Sequence, residues 1–148
     1  MFYFDKKDER VLFGDIREES HVLCDGRKLE IAPDTVMDFR DLPFDEGSFT
    51  LVIFDPPHMD SLGENSWMAK KYGRLNKMTW RDDLILGFSE CFRVLKDDGI
   101  LIFKWNETDI PTSKILELTD QKPIAGHISG KRSNTHWIVF MKDSSLPL

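Results

Sequence analysis

The strongest constraint on the fold is an apolar run that ends at two consecutive prolines. Residues 49–54, FTLVIF, are followed directly by Asp55, Pro56 and Pro57. A short apolar run rich in β-branched and aromatic residues predicts a buried strand. Proline ends such a strand because it has no backbone N–H to donate to a neighbouring strand. The sequence therefore places Asp55 at the carboxyl end of a strand.

A helix and a second strand follow this stop. Apolar residues recur at three- and four-residue spacing over 80–95, which predicts an amphipathic helix, and Asp97-Asp98-Gly99 is typical of a helix end. The run ILIFKW, residues 100–105, then predicts a strand. A strand, a crossover helix and a strand form the unit of a parallel sheet, whose ligands bind beyond the carboxyl ends of the strands. Asp55 and Asn106 fall there, and the predicted fold class is α/β.

The flanking regions carry weaker patterns. Residues 10–31 predict a small hairpin or meander, and TVMDF, residues 35–39, predicts a further strand. The last third predicts a helix over about 111–119, a glycine-rich passage over 126–130 and a final strand that starts at Thr135.

The chain has 148 residues and carries no internal repeat or Gly/Ser linker. A single core commonly organises about 100–150 residues, so we expect one domain over 1–148, with a loose tail over 142–148.

Composition limits the class of partner. The 26 acidic residues outnumber the 20 basic ones, and the net charge of −6 opposes indiscriminate binding to phosphate backbones or anionic membranes. Cys24 and Cys91 lie far apart without metal-ligand spacing, so we expect free thiols and no metal site. No apolar run approaches the roughly 20 residues of a membrane helix. The expectation is a cytoplasmic protein without membrane contact.

The string VIFDPPH, residues 52–58, resembles the signature of the amino-methyltransferases. In that family an Asp/Asn-Pro-Pro-aromatic motif ends the fourth strand of a Rossmann-like sheet that binds S-adenosylmethionine. Residues 38–58 are similar to the family's passage from the third to the fourth strand, and RVLKDDGILIFKW is similar to the next helix and strand. The resemblance covers residues 36–106. It implies a three-layer Rossmann-like methyltransferase sheet, S-adenosylmethionine as cofactor and no metal.

The resemblance also implies catalytic roles for four residues. An exocyclic amine on a heteroaromatic ring has a delocalised lone pair, so its methylation needs acceptors for the N–H groups. Asp55 and the Pro56 carbonyl supply these acceptors, and Pro57 helps to fix the backbone. His58 covers the ring where relatives carry Tyr, Phe or Trp. The implied substrate is adenine in DNA or RNA.

The glycine-rich cofactor loop of such enzymes is missing. Either RKLEIAPD is a shrunken remnant of the first strand and loop, or the motif order is permuted. In the permuted account FKWNE and GHISGKRSNTHW are similar to late cofactor-facing elements of the eukaryotic RNA adenosine methyltransferases and related bacterial DNA enzymes. Asp38 resembles the acidic residue that meets the cofactor's adenine. The cofactor-contact candidates are Asp38, Asp55, Lys104, Asn106, Glu107, His127, Lys131 and Asn134.

Basic and aromatic residues follow the Pro-Pro motif, where methyltransferases often place a substrate loop. Phosphate neutralisation with base stacking is one interpretation, and a solvated charged loop is the other. The substrate-binding candidates are Trp67, Lys70, Lys71, Tyr72, Arg74 and Lys131.

Three hypotheses follow from these patterns. The first is a methyltransferase for an exocyclic amine of a nucleic acid, of bacterial or phage type and with a homodimer as one way to complete its surface. The second replaces the nucleic acid by a protein amide or a small molecule. The third is a non-catalytic binding module or inactive relative.

Overall fold

The structure is a computed structural model that describes residues 3–5, 7–22, 25–59, 73–129 and 134–147. The chain divides into two compact units, Met1–Phe39 and Arg40–Leu148. The single domain expected from the sequence stays a prediction. Within the described residues, no helix is long and apolar enough to cross a membrane.

The first unit contains four short strands. Strand β1 (Gly14–Asp15) pairs in parallel with β4 (Thr35–Val36), and β2 (Glu19–Val22) pairs antiparallel with β3 (Lys28–Ile31). The predicted hairpin is therefore present as β2 and β3. The strand predicted over 35–39 is shorter than expected, because β1 offers it only two paired positions.

The second unit contains a mixed sheet of four strands. These are β5 (Phe49–Phe54), β6 (Leu95–Asn106), β7 (Pro123–Ser129) and β8 (Thr135–Met141), in the order β5-β6-β8-β7. Strands β5 and β6 are parallel, and the other two pairs are antiparallel. Helix α1 (Trp80–Val94) joins β5 to β6 and packs on both. The predicted strand-helix-strand unit and the α/β class are confirmed, whereas a three-layer arrangement stays a prediction.

Two predicted elements of the last third differ from the structure. Helix α2 covers only Thr112–Leu116, because the chain turns after it. Residues 126–129 of the predicted glycine-rich passage are instead the end of β7, and Gly130 lies outside the described residues. A Cβ atom on Gly126 would lie 3.1 Å from the Trp137 carbonyl oxygen, so this glycine permits close approach of two strands. The sequence alone does not distinguish a glycine that forms a turn from a glycine that permits close packing of two strands.

The core lies between α1 and the sheet. Phe88 of α1 contacts Phe103 of β6 at a centroid distance of 4.9 Å, and Phe103 stacks on Trp105 at 5.9 Å. These ring contacts fix the last residues of β6, close to its carboxyl end. The side chains with at most 1% exposure are Leu84, Phe88, Phe92, Val94, Leu95, Leu101, Phe103, Trp105, Ile115, Gln121 and Phe140.

Arg93 on α1 holds the loop that leads into β5. Its guanidinium donates to the Phe44 carbonyl at 2.8 Å and to the Leu42 carbonyl at 3.0 Å. Glu90 pairs with Arg93 at 2.6 Å and accepts the Leu42 N–H at 2.8 Å. The hydrogen bond from Arg93 holds the pKa of Glu90 below its usual range. This clamp ties the loop and α1 together.

The first two residues of the expected tail, Lys142 and Asp143, make hydrogen bonds to other parts of the second unit. Lys142 is buried and donates its ammonium to the Leu95 carbonyl at 2.8 Å. The Asp143 N–H donates to the Gln121 amide oxygen at 2.8 Å, and Gln121 donates back to the Asp143 carbonyl at 2.9 Å. These contacts connect Lys142 and Asp143 to the second unit, and a loose tail over 142–148 stays a prediction. Leu148 lies outside the described residues.

Replacing Arg93 by Ala tests the clamp. The change removes donors from two carbonyls and leaves Glu90 without its partner, so we expect the free energy of unfolding to fall by about 2–3 kcal/mol. Urea denaturation followed by circular dichroism measures it. Arg81→Ala is the control: Arg81 pairs with Glu117 at 3.9 Å on the surface, and its loss is expected to cost less than about 1 kcal/mol. Equal losses in the two variants would contradict the clamp.

Candidate functional site

Strand register brings Asp55 and Lys104 to the same edge of the sheet. Phe54, the last residue of β5, is paired with Phe103 in the parallel ladder of β5 and β6. Asp55 directly follows Phe54, and Lys104 directly follows Phe103 within β6. The Lys104 ammonium donates to Asp55 Oδ2 at 2.6 Å. Lys104 also lies over the Trp137 ring at 5.7 Å from its centroid. The side-chain exposures are 43% for Asp55 and 30% for Lys104, so solvent reaches both charges.

A cleft of about 300 Å³ opens at this edge. Its volume lies at the lower end of the range for small-molecule sites. Its position matches the rule that ligands of open α/β sheets bind beyond the carboxyl ends of the strands. The lining residues are Asp55, Pro56, His58, Met59, Lys104, Asn106 and Thr135.

His58 enters the cleft as a partly buried ring. It meets Trp105 edge-on at a centroid distance of 6.3 Å and an angle of 78°. Trp105 is fully buried and donates its indole N–H to the Ile110 carbonyl at 2.9 Å, so the surface that supports His58 is rigid. Burial lowers the pKa of His58, and this outweighs the opposite effect of Asp55. The imidazole is therefore neutral at pH 7.

Asn106 organises the other wall of the cleft. Its amide nitrogen donates to Thr135 Oγ1 at 3.0 Å. Its amide oxygen accepts the Thr108 N–H at 3.1 Å and the Thr108 hydroxyl at 2.6 Å. The side chain thus joins β6, the turn that follows it and the start of β8. Of the predicted cofactor contacts, Asn106, Asp55 and Lys104 lie together in the cleft.

Glu107 lies beside the cleft and not in its lining. Its Oε1 is 2.8 Å from His136 Nε2, and its Oε2 accepts the Thr112 N–H at 3.2 Å. The contact with His136 is the main cause that lowers the pKa of Glu107. The Glu107 N–H donates to the Asn134 carbonyl at 2.9 Å. These contacts hold the turn after β6 against the start of β8.

The remaining candidates are not among the lining residues that the structure describes. His127 is exposed on β7 and faces Trp137 in the ladder, and Asp38 belongs to the first unit. Arg74 is exposed and precedes the buried Leu75. Pro57 lies between two lining residues. The candidates outside the described residues are Trp67, Lys70, Lys71, Tyr72 and Lys131.

Three residues of the site were not predicted from the sequence, namely Met59, Thr135 and Trp137. Thr135 and Trp137 open the predicted final strand, but the pattern did not show which strand they pair with. The ladder places Thr135 opposite Asn106 and Trp137 opposite Lys104. An antiparallel pairing of the last strand with ILIFKW would have identified both.

Comparison with known proteins gives a distant structural similarity. No protein-family model and no curated protein matches the chain. The chain is similar to the crystal structure of the PH0226 protein from Pyrococcus horikoshii OT3, with 17% sequence identity and a TM-score of 0.48. The match covers 72% of this chain and 57% of that chain, so the chain spans little more than half of that protein's length.

The charges around His58 predict the signs of two changes in its titration. Lys104 lowers the pKa of His58 and Asp109 raises it, after the larger effect of burial. Lys104→Met is therefore expected to raise the midpoint, and Asp109→Asn to lower it. Both are measured by ¹H–¹⁵N NMR of the imidazole, and wild-type His58 is expected to titrate below 6.5. Shifts of the same sign in both variants would contradict the arrangement of charges.

Proposed function

We propose that the protein is an S-adenosylmethionine-dependent methyltransferase that acts on an exocyclic amine, most directly that of adenine in DNA or RNA. One observation carries the proposal. Asp55, Pro56 and His58 follow β5 in the same cleft as Lys104 and Asn106 of β6. The motif that resembles the amino-methyltransferases thus contributes to the lining of a cleft at the edge of the sheet where ligands bind.

The cleft contains groups that can accept hydrogen bonds from the N–H groups of a substrate amine. Asp55 is held at the end of a strand and offers a carboxylate to an amine N–H. Pro56 is buried and conformationally restricted, so a carbonyl at this position is preorganised. Acceptors fixed before the reaction stabilise charge that develops on the nitrogen without a cost of reorganisation. Asp55 and Pro56 orient the amine in this proposal.

His58 covers the acceptor ring. A neutral imidazole presents an uncharged planar face, and its edge contact with Trp105 limits its rotation. Enzymes that modify a base take it out of the stack and hold it against such planar groups. A smaller ring than Tyr, Phe or Trp stacks over less area, so shape and hydrogen bonding contribute more to recognition here.

The cleft fits the charged half of the cofactor. Bound S-adenosylmethionine would supply a methyl group activated by its sulfonium. Asn106 and Thr135 offer amide and hydroxyl groups to the polar part of the cofactor. The lining residues contain no glycine-rich segment for an adenosyl group. On the resemblance of its motifs, we propose an abbreviated or permuted Rossmann-like methyltransferase sheet with three layers.

The end of the chain supports the permuted account. Asn134 and Thr135 belong to the late segment that resembles cofactor-facing elements. The Asn134 carbonyl accepts the Glu107 N–H, and Thr135 accepts from Asn106. Asn134 and Thr135 thus lie beside the end of β6, which is consistent with a permuted order.

Transfer of labelled methyl groups tests the activity. The protein is incubated with radiolabelled-methyl S-adenosylmethionine and, separately, with DNA, RNA and total cell protein. We expect label in one nucleic acid, and a rate at least about 100-fold lower for Asp55→Ala, because an acceptor for the amine is lost. Asp120→Ala is the matched control, since Asp120 is exposed and lies outside the cleft.

Other outcomes of this experiment contradict the proposal in separate ways. Full transfer by Asp55→Ala would show that Asp55 has no role in the reaction. Label in protein alone would replace the nucleic acid by an amide substrate. No label with folded protein would favour a non-catalytic binding module.

Nucleic acid as partner predicts a specific dependence on salt. Arg74 and Lys77 are exposed on the segment that returns to Met59, where the Leu75 N–H donates to the Met59 carbonyl at 2.9 Å. The net charge of −6 makes any phosphate contact local. Replacing both residues by Ala is expected to reduce the slope of log K against log salt by roughly 1–2 for duplex DNA. Fluorescence anisotropy measures it, Lys122→Ala is the control, and an unchanged slope would exclude this surface.

A further inference from the structure

Lys104 lies between two groups of different character. Its ammonium is 2.6 Å from Asp55 Oδ2 and 5.7 Å from the centroid of the Trp137 ring. Lys104 of β6 is the ladder partner of Trp137 of β8. Lys104 also follows Phe103, whose ladder partner Phe54 is the residue before Asp55. Asp55, Lys104 and Trp137 are therefore neighbours. The backbone ladders therefore set the position of the Lys104 stem from both sides.

We propose that Lys104 is a positioning residue. It holds the Asp55 carboxylate in the one orientation in which this carboxylate accepts a hydrogen bond from the substrate amine. This inference rests on the proposed methyl transfer. Lys104 binds Oδ2 and so directs Oδ1 to the substrate N–H. Lys104 thus acts on the reaction through Asp55. The sequence resemblance implied a different role for Lys104, namely direct contact with the cofactor.

The exposure of the pair supports a positioning role over a structural one. A partly exposed ion pair adds little to stability, because solvent screens it and ordering two side chains costs entropy. Asp55 is 43% exposed and follows the last residue of β5, so packing alone does not restrict its carboxylate. The contact with Lys104 instead fixes the orientation of the Asp55 carboxylate. The reaction rate depends far more strongly on this orientation than the free energy of unfolding does.

Trp137 supports the same function from the other side of Lys104. A cation over an aromatic face is attracted by the ring's quadrupole. Trp137 is the cross-strand partner of Lys104, so the contact favours an ammonium that stays on the face of the sheet that the two side chains share. A flexible lysine is thereby made into a fixed donor.

The test compares Lys104→Met, Lys104→Arg, Asp55→Asn and the double variant Asp55→Asn with Lys104→Met. Lys96→Met is the matched control, because Lys96 is exposed on the same strand and distant from the cleft lining. kcat and KM come from methyl transfer, and the cofactor Kd comes from calorimetry with S-adenosylmethionine. The thermal midpoint monitors folding.

We expect Lys104→Met to lower kcat by about 10–100-fold, since a small misplacement of a reacting group costs up to about that factor. The cofactor Kd should change less than about 3-fold and the thermal midpoint little, because the pair is partly exposed. Lys104→Arg should recover part of the rate. The double variant should be no slower than Asp55→Asn alone, because both changes act on one contact.

Three results would overturn the role of Lys104. A cofactor Kd raised tenfold or more with unchanged kcat would assign Lys104 to the cofactor, and losses that multiply in the double variant would separate it from Asp55. The contact itself is tested without activity by ¹H–¹⁵N NMR of the lysine ammonium groups. The Lys104 signal is expected to shift in Asp55→Asn, and an unchanged signal overturns the positioning role alone. Absence of transfer by the wild type to any substrate overturns the proposed function itself.

Discussion

The parallel pairing of β5 with β6 is the constraint on which the site depends. The ladder pairs Phe54 with Phe103, and both rings pack against Phe88 of α1. Because the two strands run in the same direction, their carboxyl ends reach the same edge together. Asp55 follows Phe54 and Lys104 follows Phe103, so the two side chains meet near this edge. A register shifted by one residue would move Lys104 to the other face of the sheet.

The antiparallel side of the sheet adds the second half of the site. Strand β8 runs back along β6, so the start of β8 meets the end of β6. Thr135 then completes the Asn106 network, and Trp137 lies beside Lys104. This part of the cleft contains polar contacts that join separate turns. The wall formed by His58 depends instead on a buried aromatic support, and the cleft therefore combines a rigid planar surface with a polar edge.

The elements with strong patterns were predicted well. The apolar run of β5 has the bounds Phe49–Phe54, and α1 ends one residue before its predicted limit. A weaker pattern failed where context decides. Glycine is typical of loops, but Gly126 lies in β7, because its missing side chain lets β8 approach closely. The expected tail carries polar residues typical of a loose terminus, and its first two residues, Lys142 and Asp143, make hydrogen bonds to other parts of the second unit.

The sequence by itself determined the order of strand, proline stop, helix and strand, because periodicity and the missing proline N–H act locally. It thereby identified Asp55, Pro56, His58 and Asn106 as residues at the ligand edge, and the structure places all four in one cleft. Only the tertiary structure decided that Lys104 pairs with Asp55 and that Thr135 belongs to the site. Both facts depend on which strands are neighbours and in which register. Register arises from packing between distant segments, and local patterns do not contain it.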